Sequence, residues 1–459
     1  MSIIKAYALP HPPLAVAKVG RGDEKRIPKT LAALDNAARE IAALAPDTII
    51  FITPHSTAYS DYFHISPGHS AKGDFARFGA HDVTFQVKYD RDFVTEISRL
   101  AEGSGLRAGS IGELDALLDH GVTVPMWFIN QHYSGYQAVR ISQSGMDSTE
   151  HYRLGQLIAQ AAENMGRRTL LIASGDLSHK LAGSKDFAPE GEIFDKAVVD
   201  ALSTADFLSL LQIPVELRER AGECGYNSYV ILAGCFDRLN VEATLLSYEC
   251  PFGVGYAAAS FTPIEINENN SILESYIEAL LFEARKRQKS EDAYCALARL
   301  SLETMVTGGE NISLPDNLPV ELLQNRAGVF VSLHKNGHLR GCVGTLAPTT
   351  DNVALEIIQN AVSAGMSDNR FEPVDVSELP LFTYKVDVLS APEAISGEEE
   401  LDVKRYGVIV SSGNKRGLLL PDLDGIDSPK QQIAIARRKA GILENEPVRL
   451  ERFEVIRHQ

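Results

Sequence analysis

The sequence predicts an α/β protein. A largely parallel N-terminal sheet flanked by helices is expected over residues 1–262. A linker and connecting helix follow over 263–290, then a smaller α+β domain over 291–459. Three observations predict this. A chain of 459 residues suggests two or three domains. Strand-like and helix-like segments alternate through the first part, the pattern of crossover helices on a parallel sheet. Beyond residue 290 that alternation becomes irregular.

The elements follow in order. Ile3–Leu9 reads as a buried strand, and Thr30–Leu44 has apolar residues at helical spacing. Thr48–Thr53 (TIIFIT) is a β-rich run ended by Pro54. Glu150–Met165 reads as a helix, Thr169–Ser174 as a strand and Asn227–Leu239 as a helix. Ala243–Tyr248 and Val254–Phe261 read as two closing strands. Pro263–Ser271 (PIEINENNS) has the composition of a linker. Ile272–Lys289 is an amphipathic helix with a basic end, as the helix dipole favours. Glu291–Val306 opens the second domain, whose remainder holds the strands GVFVSL, LFTYKVDVL, YGVIVSS and RGLLLP and the helix Pro429–Ala440.

Composition excludes several classes. Lys and Arg number 44 against 61 Asp and Glu, a net charge of −17 that repels phosphate backbones and argues against nucleic-acid binding. No run approaches the ~18 apolar residues of a membrane span. The start, MSIIKAYALPHPP, lacks the apolar core of a signal peptide, so a cytoplasmic protein is expected. Five cysteines, Cys224, Cys235, Cys250, Cys295 and Cys342, form no CxxC pair, which argues against a disulfide scaffold or a cysteine-based zinc site.

Four segments carry the candidate chemistry: Leu9–Pro13 (LPHPP), Thr53–Ser56 (TPHS), Ser174–His179 (SGDLSH) and Ser247–Cys250 (SYEC). Each lies at or past the C-terminal end of an expected strand, where open α/β sheets collect ligands. His11 and His55 meet there if their strands are neighbours. Two neutral imidazoles and one carboxylate leave open positions on a metal, a set suited to Fe(II) in oxygen chemistry and also to catalytic zinc. His11, His55 and Glu249 can supply it; Glu242, early in the same strand, is expected to face solvent. His179 is free to act as acid or base, and His120, after a short helix-like segment, can face the same edge. No HEXXH motif is present. Asp176 is expected to cap the following turn or to orient a histidine. Residues 56–82, with His64, His69 and His81, are long for a connection and read as a lid or a solvated loop.

At these segments residues 1–262 resemble the LigB-like family of class III extradiol ring-cleavage dioxygenases, which also contains the Memo proteins. LPHPP, ITPHS, LDHGVTVP, SGDLSH and YEC…GVGYAAASF carry the resemblance. It implies a nonheme Fe(II) site at His11, His55 and Glu249, with His179 as acid/base and His120 as a second pocket histidine. A small catechol-type aromatic and dioxygen would be the substrates. The Memo proteins imply an alternative: a metal-binding or redox interaction module that does not cleave rings, with a cysteine at the carboxylate position, for which Cys250 is the neighbouring candidate. Residues 291–459 resemble the AMMECR family through Leu339–Thr345 (LRGCVGT), Ser367–Phe371 (SDNRF) and Ala436–Gly441. AMMECR and Memo-type domains recur with a radical-SAM protein, which is therefore an expected partner; a homo-oligomer is compatible.

Arg340, Cys342 and Arg370 mark a second candidate site. Gly341 and Gly344 read equally well as bulge or turn positions, Cys342 as a small buried residue, and HKNGH as a hairpin tip at Asn336-Gly337.

Overall fold

The computed structural model describes residues 2–112, 117–335, 337–423 and 425–459. Two compact units divide it at 278/279, inside the connecting helix.

In the first unit β1 (Ile3–Leu9), α1 (Pro28–Leu44) and β2 (Thr48–Thr53) follow the sequence expectation closely. A hairpin, β3 (Ser70–Phe75) and β4 (Ala80–Lys88), occupies much of the stretch expected to be a loop or lid. It alternates exposed and buried residues, so its apolar face packs into the core while the other stays wet. Next come α2 (Arg91–Ser104), α3 (His120–Ile129), β5 (Gln137–Ser142), α4 (Ser148–Met165) and β6 (Thr169–Ser174). Then α5 (Pro189–Thr204), α6 (Tyr226–Gly234), β7 (Leu239–Glu249), β8 (Tyr256–Ile266) and α7 (Ile272–Ser290) complete it. Strand β8 runs past Pro263, because Leu239–Val241 at the start of β7 pair with it; the expected linker therefore begins after Ile266.

The sheet order is β7-β8-β1-β6-β2-β5. Strands β1, β6, β2 and β5 are parallel; β8 is antiparallel to both β1 and β7. The central strands are buried throughout, as parallel strands covered on both faces must be. Tyr7, Leu9, Ile49, Phe51, Leu170 and Ile172 share one core with α1, α3 and the hairpin. The alternate residues Ala6, Ala8, Ile50, Ile52, Leu171 and Ala173 are equally buried. β1 and β2 are not neighbours: β6 lies between them.

The second unit opens on α8 (Ala293–Gly308). Strands β9 (Val329–Lys335) and β10 (His338–Gly344), α9 (Val353–Met366) and β11 (Phe382–Leu389) follow. After β12 (Glu393–Ile395) come β13 (Gly407–Ser412), β14 (Lys415–Leu419), α10 (Pro429–Lys439), β15 (Arg449–Phe453) and β16 (Val455–His458). They form two four-stranded sheets, β10-β9-β11-β16 and β12-β15-β13-β14. The first packs on α8 and α9 through Val329, Val331, Leu333, Tyr384 and Val386; the second packs on α10. This is the expected α+β class. Asn336 of the expected hairpin tip lies outside the described residues; Gly337 has φ +83°.

Candidate metal centre

The C-terminal ends of β1, β6 and β2 converge on one edge. Two residues past β1, His11 is 1 % exposed; His55, two past β2, is exposed. Their Nε2 atoms face each other at 3.0 Å. That is close to the spacing of two imidazoles on one metal with bonds of about 2.0–2.1 Å. His120 opens α3 and lies over His55, ring centroids 4.1 Å apart and nearly parallel. One ligand atom from each of His11, His55 and His120 falls within 4.8 Å of the others. Helix α3 begins here, after a short strand, Leu117–Leu118, where a helix-like segment was expected; residues 113–116 lie outside the described residues. His179 stands at the exposed rim of the same edge, close enough to lower the proton affinities of His11 and to have its own lowered by His55.

Hydrogen bonding sets the state of His11. The Ser174 hydroxyl at the end of β6 donates to the carbonyl of Gly121 at 2.5 Å. Having spent its only proton, it accepts from His11 Nδ1–H at 2.9 Å. His11 is thereby held as the Nδ1–H tautomer with a bare Nε2 turned to His55 and His120. Asp176 accepts the backbone N–H of His11 at 2.9 Å, with its other oxygen 4.0 Å from Nε2. Behind His55, Thr53 Oγ1 accepts the His55 N–H and donates to Asp119, which faces the fully buried guanidinium of Arg140 at 3.8 Å.

Burial lowers the pKa of every imidazole here: His11 strongly, His120 to about 4, and His55 and His179 to a smaller extent. Like charge on neighbouring imidazoles adds to this for His11, His120 and His179. All four are neutral at pH 7, the form that ligates metals. Burial acts oppositely on Asp176, whose carboxyl rises to about 7.

The structure brings Glu249 to a different place. It ends β7, which points the same way as β1 but lies beyond β8 at the sheet margin. Two strand spacings, about 10 Å, separate it from β1. Its carboxylate accepts the N–H of Thr30 at 2.7 Å, in the first turn of α1, where Ile27 offers no side-chain cap. Glu242 is exposed, as expected, and Cys250 is exposed beside Glu249.

Sequence reasoning missed Cys224. Its Sγ lies 3.7 Å from His11 Nε2 and accepts the N–H of Asp176 at 3.3 Å. The loop before α6 reaches β6 because Gly175 and Gly225 touch without side chains; a Cβ on Gly175 would overlap the Cα of Gly225. Gly225 N–H donates to Asp176 O at 3.0 Å, and Tyr229 Oη donates to Gly175 O at 2.5 Å. Burial, then the nearby Asp176, raises the Cys224 thiol well above its ordinary pKa, so it is protonated unless a cation displaces the proton. The only local signal was a Cys-Gly pair at a helix start; its partners lie 48 and 213 residues away.

The donor set fits a transition metal: bare imidazole nitrogens and one thiol suit copper, zinc or iron better than the oxygen-seeking Mg²⁺ or Ca²⁺. Among the described residues no helix is long and apolar enough to cross a membrane. All five cysteines are free thiols.

Residues 5–259 match the model of the catalytic LigB subunit of aromatic ring-opening dioxygenase, and residues 295–458 match AMMECR1. A Clostridium acetobutylicum protein is 40% identical over 470 residues, covering all of both chains. A Thermotoga maritima protein is 47% identical over 171 residues, 37% of this chain and 98% of its own length. An uncharacterized Pyrococcus horikoshii protein of known structure is 30% identical, covering 36% of this chain and 88% of its own, with a TM-score of 0.33. With more than half its length matched, the chain belongs to the LigB catalytic-subunit family and carries an AMMECR1 domain in the same polypeptide.

Proposed function

We propose that the first unit is a metal-dependent redox protein of the Memo-like kind, its metal held by His11, His55 and Cys224, with His120 and His179 lining the open side. One observation carries this reading: Cys224 Sγ stands 3.7 Å from His11 Nε2 while Glu249 is engaged at the start of α1. A thiolate with two imidazoles is the ligand type of copper and zinc centres. When bound, the metal supplies Lewis acidity and, if redox-active, electron transfer. The chain does the rest. Ser174 and Asp176 orient His11, and the Thr53–Asp119–Arg140 chain holds the His55 segment. His179, neutral and at the rim, takes or returns a proton of a bound small molecule. His55 and His179 leave the site open to solvent, so a substrate can reach it.

Ring cleavage of a catechol-type substrate with Fe(II) is the second reading, favoured by the family match and by a free imidazole, His179, beside the paired His11 and His55. Metal analysis after anaerobic reconstitution with Fe(II), Cu(I) and Zn(II) separates the two. Under the first reading Cys224→Ser loses most of the bound metal and Glu249→Gln keeps it. Loss in Glu249→Gln with retention in Cys224→Ser, together with oxygen uptake on catechols, would establish the second.

A further inference from the structure

The residues singled out in the second unit are engaged within the chain. The Ser332 hydroxyl donates to Cys342 Sγ at 3.2 Å, Arg340 pairs with Glu378, and Arg370 pairs with Asp368. Gly341 presses β10 on α9, where a Cβ would overlap the carbonyl of Ala364. In the first unit a buried charge is not so engaged. It lies in a cavity of about 370 Å³ bounded by the loop past His179, one face of α5 and the end of β7. Small-molecule sites span roughly 300–1,000 Å³. None of the four histidines of the metal centre lines this cavity. Leu181, Val199 and the Tyr248 ring are its apolar walls, and the thiol of exposed Cys250 borders it.

The charge is Asp195, 1 % exposed, on the α5 face that lines the cavity. Its oxygens accept from the Ser178 N–H and the Tyr248 hydroxyl, each at 2.8 Å. Both donors are neutral, and among the described residues no cation pairs with this carboxylate. A carboxylate taken out of water without a counter-charge is costly, and burial raises its pKa to about 6, which leaves it ionised above neutral pH. The rest of the lining supplies no free cation. Lys196 is paired with Asp200 at 2.5 Å, and Glu192 adds a further negative charge. The lining is therefore net acidic, with its one deeply buried charge uncompensated. Leu181 and Val199 offer nothing to a hydrated inorganic cation, whereas they suit a cation with an apolar body. We propose that the cavity binds a small organic ammonium ion, its N–H groups donated to Asp195 and its apolar part against Leu181, Val199 and the Tyr248 ring.

The test uses the full chain above neutral pH and follows alkylation of Cys250 by iodoacetamide, resolved by peptide mass spectrometry, with Cys342 of the second unit as the internal reference. The probes are 2-phenylethylammonium and its uncharged counterpart 2-phenylethanol, titrated at constant ionic strength. The ammonium should slow Cys250 several-fold and saturably, with Cys342 unaffected, and the alcohol should not. Asp195→Asn removes the charge at nearly constant shape and should abolish the protection. Val199→Trp fills the cavity, leaves the bonds of Asp195 to Ser178 and Tyr248 in place, and should also abolish it; this variant serves if Asp195→Asn does not fold. No slowing by the ammonium, equal slowing by the alcohol, or protection that survives in either folded variant would overturn the proposal.

Discussion

The two units place reactive side chains in opposite ways. In the first, His11, His55 and Ser174 sit at or just past the ends of three adjacent strands, and burial keeps the imidazoles neutral. In the second, Cys342 and Ser332 lie on a strand face, fenced by Arg–carboxylate pairs. The first arrangement turns imidazole nitrogens toward one another; the second ties its guanidinium groups to neighbouring carboxylates. A sheet edge and a sheet face thus set the charge of their side chains differently, through desolvation in one and ion pairing in the other.

The largest effects should come from the glycines that bring each set together. Gly175→Ala forces the Cys224 loop off β6, and Gly341→Ala pushes β10 off α9; each should cost its unit about 3 kcal/mol, the upper range for overpacking. Thermal unfolding followed by proteolysis of each unit should show Gly175→Ala weakening only the first unit and its metal binding, and Gly341→Ala only the second. Loss of both units in either variant would break the comparison.

Next in size is Cys224→Ser, which should weaken metal binding by at least about 100-fold on replacing a thiolate with a neutral hydroxyl. Arg340→Lys should leave metal affinity unchanged. Ser174→Ala frees the His11 tautomer and should cost about 10-fold, at the low end for groups that orient a ligand. Equilibrium titration with competing chelators reads all three.

A pH prediction follows from the opposite shifts of thiol and imidazole. Near neutral pH the imidazoles are uncharged, each with a nitrogen lone pair free of a proton, while the Cys224 thiol keeps its proton. Metal uptake should therefore release about one proton, and affinity should rise about tenfold per pH unit up to the thiol's raised pKa. In Cys224→Ser the slope should vanish above pH 7, as weakly buffered stopped-flow measurements would show. The smallest effect is that of Glu249→Gln, which weakens the cap of α1 by about 1 kcal/mol or less with no change in metal content.

Much of this was legible in the sequence. β1, β2 and β6 match the expected strands end to end, because an unbroken apolar run closed by Pro or Gly leaves little choice. His11 and His55 were expected at one sheet edge because strand ends fix where the next residues go; His120, expected after a helix-like segment, groups with them. The edge strand β5 and the helices α2 and α5 were not resolved from composition, and a hairpin lay within the supposed loop. The proposed ligand set was only partly legible. Glu249 lies at the correct end of a strand running in the correct direction, but strand order, which no local pattern records, puts β8 between it and β1. Cys224 comes into place through a glycine–glycine contact across 50 residues, invisible to any spacing rule.

The most direct test of the central claim is the near-ultraviolet spectrum of the Co(II)-substituted protein. A thiolate bound to cobalt gives intense charge-transfer absorption that imidazole and carboxylate do not. The band should be present in wild type and in Glu249→Gln and absent in Cys224→Ser. A wild-type protein that binds cobalt without the band, or a band that survives in Cys224→Ser, would remove Cys224 from the centre.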